Sequence, residues 1–387
     1  MKKSACAVLL AILILASIGL IIAAKRSPQK NAIPDSPDTI SIGGISALTG
    51  VGVSIGEEEK RGAELAVKEI NARGGVSGHK IRLISEDLSL DKIKNAVSVA
   101  RKLIDADKVV AIIGPQWDEP AMPMLPIIEA AQVPTVGANN TPDLERVKNY
   151  EYFFSTWHDN RVGVRELLRF AQKSNLKRVA IIKPLAAGFW EYTAEAFKKE
   201  APSYGVTVVS EEDAGNPLLT DFRTIISKTM QHSPDAIFIV TSDYNQCSFL
   251  KQAKELGYAG PTLGTESSGD PTSLTTCPEL MKDRYFSTPT QTKGYPRFAE
   301  GYRAEFGEYP RYPSAATAYD AAYVIANGLE RSKLRGGKAL RDAIAATKSL
   351  SGASSDKIEF NAAGFIRTPE NGFEIQTVRD GKFMKID

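Results

Sequence analysis

ISIGGISALTGVGVSIGEEEKRGAELAVKEINARGGVSGHKIRLISED, residues 40–87, alternates between two kinds of local order. The run from Ile40 to Ile45 is rich in β-branched residues and reads as a strand. A loop of small residues follows, after which Ala63, Ala66, Val67 and Ile70 recur at the spacing of one helical face. Asn71 and the pair Gly74 and Gly75 stop that helix, and Lys80 to Ser85 forms a second strand. A helix-length crossover joins strands that lie parallel, in a right-handed βαβ unit. The stretch therefore predicts an α/β fold.

The alternation continues outward. A helix is expected from Asp91, with Ile93, Ala96, Val97, Ala100 and Ile104 on one face, and then a strand from Val109 to Ile113. A helix from Ala121 to Ala131 and a strand from Pro134 to Val136 complete a doubly wound lobe with a parallel sheet, ending near Phe154. A second lobe starts near His158. It alternates helix Val162 to Gln172, strand Val179 to Ile182, helix Tyr192 to Lys199, strand Thr207 to Val209, helix Phe222 to Met230 and strand Ala236 to Val240. Asp380-Gly381 marks a hairpin near the C-terminus.

At 387 residues, 43% hydrophobic and 24% charged, the chain has material for about two domains. A net charge of +2, evenly spread, gives no sign of a nucleic-acid partner. Lys2 and Lys3 precede an uncharged, mostly apolar run from Ser4 to Ala24 that ends at Lys25 and Arg26. A cleaved signal has an apolar core of about 7 to 15 residues, so this longer run suggests an export segment retained as an anchor. Residues 1–26 are thus signal peptide or membrane anchor, and residues 27–38, polar and proline-bearing, are a linker. Cys247 and Cys277 either pair, if the chain is exported, or remain buried free thiols.

The loop SALTGVGVSIGEEEKRG followed by AVKEINARGGVSGHKIRLISED resembles the opening of the branched-chain amino-acid receptor family of bacterial periplasmic solute-binding proteins. VVAIIGPQ, VPTVGANNTPDL and TAYDAAYVIANGLE continue the resemblance in the same order, and it extends from about Thr39 to the C-terminus. It implies the type I periplasmic binding protein fold: two doubly wound parallel-sheet lobes joined by three crossover strands. Lobe 1 would hold residues 39–157 plus 286–360 and lobe 2 residues 158–285 plus 361–387. It also implies an extracytoplasmic, monomeric receptor that closes on a small ligand, an amino acid or analogue, and presents it to an ABC permease.

Candidate ligand contacts cluster where strands end. Gln116, Trp117 and Asp118 follow the strand Val109 to Ile113, at the carboxyl end where α/β sheets bind ligands. Trp117 and Asp118 depart from the small hydroxyl residues common here in the family, so leucine-like specificity is not assumed. Asn139, Asn140 and Thr141 open a helical turn before Pro142. N-cap duty alone would explain the threonine, but its hydroxyl and the free N–H groups nearby also suit a carboxylate. By resemblance Thr141 holds the ligand carboxylate. Asp243 and Tyr244 follow the strand Ala236 to Val240, and Glu266 follows the next one; Glu266 occupies the place of the family's ammonium-binding acid. Phe189 and Trp190, beside Gly188, are further possible contacts.

Gly50-Val51-Gly52-Val53-Ser54-Ile55-Gly56 lies where a dinucleotide loop would lie, with Ser54 on the expected cleft wall. Its spacing is off by one, and Glu57, Glu58 and Glu59, expected in the first helical turn, would repel a pyrophosphate. A nicotinamide-dependent enzyme is thereby disfavoured. His79, His158 and His232 form no catalytic or metal motif and are expected to be exposed or satisfied. The sequence reads as a binding protein with no cofactor, no metal and no catalysis, with an anchored ligand sensor as the alternative within that class.

Overall fold

The computed structural model describes residues 38–50, 52–138, 147, 149–185, 188–215, 219–240 and 243–386. The apolar N-terminal run and nearly all of its tether lie outside them. β1 (Thr39–Ser46) and β2 (Lys80–Asp87) run parallel along their full length, with the helix Val53–Ala72 as crossover. β3 (Ile112–Ile113), β4 (Thr135–Gly137) and β5 (Phe153–Ser155) extend this to a five-stranded parallel sheet of order β2-β1-β3-β4-β5.

The second sheet has seven strands among the described residues. β6 (Arg178–Lys183), β7 (Thr207–Asp213), β8 (Ala236–Ile239), β9 (Thr262–Gly264), β10 (Arg284–Pro289), β11 (Phe373–Arg379) and β12 (Lys382–Lys385) take the order β12-β11-β10-β9-β8-β6-β7. Neighbours from β10 through β7 run parallel, and β11 and β12 are antiparallel additions. The β11–β12 turn falls at Asp380 and Gly381, both at positive φ, as a hairpin turn of that sequence requires.

Each sheet has an apolar cluster on either face, so each lobe is a three-layer sandwich. The helices Val53–Ala72 and Pro313–Arg331 share one face of the smaller sheet and touch closely. A Cβ on Gly62 would lie 2.0 Å from the Ala315 carbonyl oxygen, so the glycine is what permits the approach. The chain passes between the sheets after Ser155, after Pro289 and again before Phe373, with residues 353–366 still contributing to the smaller lobe's core. β10 lies wholly in the larger sheet, so the second passage falls after Pro289, where the sequence reading had placed a division near 286.

Two local expectations are corrected. The first long helix starts at Val53, not after Gly56. Its first turn therefore carries no acid, and Glu58 and Glu59, expected in that turn, lie beyond it and are buried. The cause is packing: a Cβ on Gly56 would lie 2.0 Å from the Ala47 carbonyl oxygen, so the helix begins early and turns those carboxylates inward. The segment after Asp91 is not one regular helix. It is a tight 3₁₀ stretch (Leu90–Asn95), a short α-helix (Ala96–Arg101) and a widened turn (Lys102–Ala106), with Leu103 buried where Val97 is exposed.

Candidate functional site

The carboxyl ends of β1, β3 and β4 in the smaller sheet and of β6, β8 and β9 in the larger one carry the loops between the lobes. β3 runs into Gly114, whose φ of 96° brings it so near the Ile45 carbonyl that a Cβ would lie 2.2 Å from that oxygen. This tight turn puts the wholly buried Gln116 beside the β1 loop, where its Oε1 accepts from the Ala47 N–H at 3.2 Å. The Gln116 Nε2 is buried and has no partner among the described residues. Trp117, at φ 67°, lays its ring over Gly52 of its own lobe; a Cβ there would lie 1.9 Å from Cη2. Indole and glycine together form a half-buried wall, with Ser54 in the first turn of the adjacent helix. Asp87 fixes the loop above them through bonds from the N–H groups of Leu48 (2.8 Å) and Thr49 (3.1 Å). Burial would raise the Asp87 carboxyl, but Lys92, Thr49 and those N–H groups hold it down at about 2.

β4 ends at Gly137, and Asn139, Asn140 and Thr141 lie outside the described residues. Their approach is defined, however. The Ala138 carbonyl accepts from Thr317 Oγ1 at 2.5 Å, and Thr156 Oγ1 donates to the Thr317 carbonyl at 2.8 Å. Asp243 and Tyr244 open the helix Asp243–Glu255, and their side chains are likewise outside the description.

Glu266 starts a 3₁₀ turn, Glu266–Gly269, directly after β9. Its Oε2 accepts from Asn160 Nδ2 at 3.1 Å, and Asn160 Oδ1 accepts from Trp157 Nε1 at 2.9 Å. Asn160 and Trp157 are buried in the first passage between the lobes, where Asp159 caps the helix Asn160–Lys173 through the Arg161 N–H. Among the described residues no cation pairs with the Glu266 carboxylate. Desolvation pushes it up to about 7, against the smaller opposing effects of its own N–H and Asn160. The same turn is held from below by Arg284, which is 1% exposed. Its guanidinium donates to Ser268 Oγ (2.6 Å) and to the carbonyls of Leu263 (2.7 Å) and Ile239 (3.4 Å). No carboxylate pairs with it among the described residues, and burial pulls it down to about 9.

Beside this turn, Gln246 is buried with its Oε1 unpartnered. Cys247 and Cys277 form a disulfide with Cα atoms 5.8 Å apart, tying the helix Asp243–Glu255 to the segment after Glu266. Asn160, Gln246 and Arg284 were not singled out from the sequence. The Asp-Asn pair capping a helix at the first passage was a usable signal for Asn160. Arg284, opening an apolar strand, reads locally as solvated. Phe189 and Trp190 pack edge to face and join the larger lobe's own core.

The three passages meet around a cavity of about 340 Å³ lined by His158, Thr290, Ser354, Arg367 and Thr368. His158 is neither exposed nor fully satisfied. It is 6% exposed, its ring bonds to the Ser354 carbonyl, its Nδ1 lacks a partner, and burial pulls it down to about 4. On the other side of Ser354, buried Asp320 accepts from the N–H groups of Ala353 (2.7 Å) and Ser354 (2.8 Å) and from Ser354 Oγ (2.6 Å). Burial outweighs these bonds and raises it to about 6. Among the described residues no cluster of metal-ligating side chains occurs, and no helix is long and apolar enough to cross a membrane.

Comparison with known proteins agrees with this geometry. The family model described as periplasmic binding protein matches residues 39–382. The Leu/Ile/Val-binding protein homolog 7 of Brucella abortus is 28% identical over 349 residues, covering 84% of this chain and 86% of that one. The substrate-binding protein LivJ of the Streptococcus pneumoniae branched-chain amino acid transporter, solved with isoleucine, superposes with a TM-score of 0.79 at 25% identity, over 90% of this chain and all (100%) of that one. A leucine-binding protein LivK from Thermotoga maritima gives 0.78 at 21% identity, over 90% and 98%.

Proposed function

This chain belongs to the periplasmic binding protein family, a family of extracytoplasmic solute-binding proteins, and on that premise we propose that its solute is an α-amino acid or close analogue held between the lobes. The observation that carries this reading is Glu266. A half-buried carboxylate with one neutral donor and, among the described residues, no paired cation gains from a ligand ammonium, because a charge-assisted bond that is partly shielded from water is strong. The ligand carboxylate is assigned to Thr141 with Asn139 and Asn140, at the end of a β4 loop that Thr317 and Thr156 anchor. Gln116 offers a buried spare N–H, Trp117 with Gly52 and Ser54 forms the side wall, and Asp243 and Tyr244, which open the helix after β8, are assigned to the opposite rim. Each polar end of the ligand is thus held by a different lobe, and closing the lobes completes the site.

The loaded, closed form is delivered to an ABC permease, with the apolar run Ser4 to Ala24 exporting and tethering the chain. Thermal-shift screening of amino acids, amides and short-chain acids tests the reading. Stabilisation by L-leucine, L-isoleucine or another α-amino acid is expected. Stabilisation by amine-free acids alone would remove the ammonium role of Glu266.

A further inference from the structure

Trp157, Asn160 and Glu266 form a line of hydrogen bonds from the first passage to the candidate site. Trp157 and Asn160 are 4% and 3% exposed, and the bonds measure 2.9 Å from Trp157 Nε1 to Asn160 Oδ1 and 3.1 Å from Asn160 Nδ2 to Glu266 Oε2. An indole N–H donates and never accepts. Its partner on Asn160 must therefore be the amide oxygen, which leaves the NH2 group to face Glu266. A free carboxamide could turn over and offer its oxygen to a protonated carboxyl, but one pinned by an indole can only donate. The pin is itself rooted in the passage. The Trp157 N–H donates to Ser155 Oγ at 3.1 Å, and the hydroxyl of Thr156 between them donates to the Thr317 carbonyl of the smaller lobe at 2.8 Å. Among the described residues, charged groups on the neighbouring elements are engaged elsewhere: Arg161 with Asp159 (2.6 Å), Arg284 with Ser268 (2.6 Å) and Asp270 with Thr272 (2.9 Å). The side chain of Asp243 lies outside that description.

We propose that Trp157 and Asn160 are an orienting relay for Glu266: the donor-only indole fixes the amide, and the fixed amide always presents N–H to the carboxyl, favouring its ionised form and leaving Oε1 for the solute. Both are positioning residues, and Trp157 acts only through Asn160. The relay also decides what a carboxamide at position 266 would do. Its oxygen would be held by Asn160, so its NH2 group would meet the solute ammonium, donor against donor. The consequence for solute binding rests on the ammonium reading proposed above, whereas the fixed amide in the empty protein does not.

The test is a carboxyl-carbon NMR titration of the ligand-free full chain carrying isotope-labelled glutamate, in which the Glu266 signal is the one lost in E266Q. In the parent this carboxyl titrates at about 7. Asn160→Ala should raise the midpoint by about one unit, the scale of one lost hydrogen bond to a charged group. Trp157→Phe should move it the same way, because the unpinned amide can then turn and accept from the protonated form. W157F/N160A should go no further than Asn160→Ala. An unchanged midpoint in either single variant, or a double variant shifted by the sum of the two, overturns the relay. Asn160→Ala strands a buried indole N–H; should that variant not fold, Trp157→Phe and the double variant still decide, both being expected to shift upward. In a second arm, L-leucine and L-isoleucine serve as probes. Where either binds the parent, Asn160→Ala should lower its affinity about tenfold at about pH 6 and far less at about pH 8.5, since only the midpoint has moved. An equal loss at both pH values marks a general loosening of the site and overturns the relay's part in binding. Failure of both probes to bind the parent counts against the solute reading, and the ligand-free titration then decides the relay.

Discussion

Replacing Glu266 with Gln removes one charge from the cleft while leaving an oxygen to accept from Asn160, now at 3.1 Å. In the empty parent, burial pushes this carboxyl up to about 7. An ammonium ligand selects the ionised form, which is about half populated at that pH and about one-tenth populated one unit lower. Affinity in the parent should therefore fall roughly tenfold per unit as pH drops from about 7 to about 5, with a proton released on binding. Glu266→Gln should show no such slope and should bind more weakly at about pH 8, by roughly 2 to 5 kcal/mol. Stability should move the other way. A carboxyl raised above its usual 4.5 contributes stability that is fully present below 4.5 and is lost as pH rises through about 7. The ligand-free variant should accordingly melt above the parent at about pH 8 and lose that advantage at about pH 4.5. Calorimetric titration with the amino acid found by screening, in buffers of different ionisation enthalpy, reads affinity and proton release together. Parent affinity that is flat with pH, or a variant that binds as tightly as the parent at the alkaline end, would refute the ammonium role.

Removing the Cys247–Cys277 bridge, which closes a loop of sequence separation 30, should cost ~3.5 kcal/mol by the loop-entropy relation; guanidinium unfolding of the double Ala variant checks this. His158, depressed to about 4 by burial, contributes stability that is present above 6.5 and is lost as pH falls through about 4. Asp320, raised to about 6, opposes this slope, so the comparison needed is parent against His158→Asn. The parent should lose about 3 kcal/mol relative to the variant on acidification, and parallel denaturation profiles would contradict it. Gly188→Ala places a methyl against Asp118 and Glu119 and strains a positive φ, so small-angle scattering should show a more open ligand-free particle than the parent. Saturating ligand should compact the parent. An unchanged radius in a parent shown to be open when empty would count against hinge closure.

The parts of this molecule legible in its sequence are those fixed by neighbours in the chain. The βαβ unit of residues 39–87 shows because its apolar residues recur at helical spacing between two β-rich runs, and the β11–β12 turn shows because Asp380-Gly381 is a positive-φ pair. Strand ends could be placed, and that made Gln116 and Glu266 candidates, since ligands in α/β sheets gather at carboxyl ends whatever the side chains are. What was missed depends on partners far along the chain. Glu58 is expected in the first helical turn, yet it lies beyond that turn and is buried against Arg311, which reaches it from 253 residues away. Asn160 meets Glu266 across 106 residues, and Gly188 meets Asp118 and Glu119 only because two separately folded sheets face each other. Arg284 shows the same at shorter range, since its burial is decided by Leu263, Ile239 and Ser268, on other elements of the same lobe. The order of strands locates the cleft, and the long-range partners set its chemistry. Glu266 shows both halves of this: its place at a strand end is legible in the sequence, whereas its pairing with Asn160 alone, and with no cation among the described residues, is not.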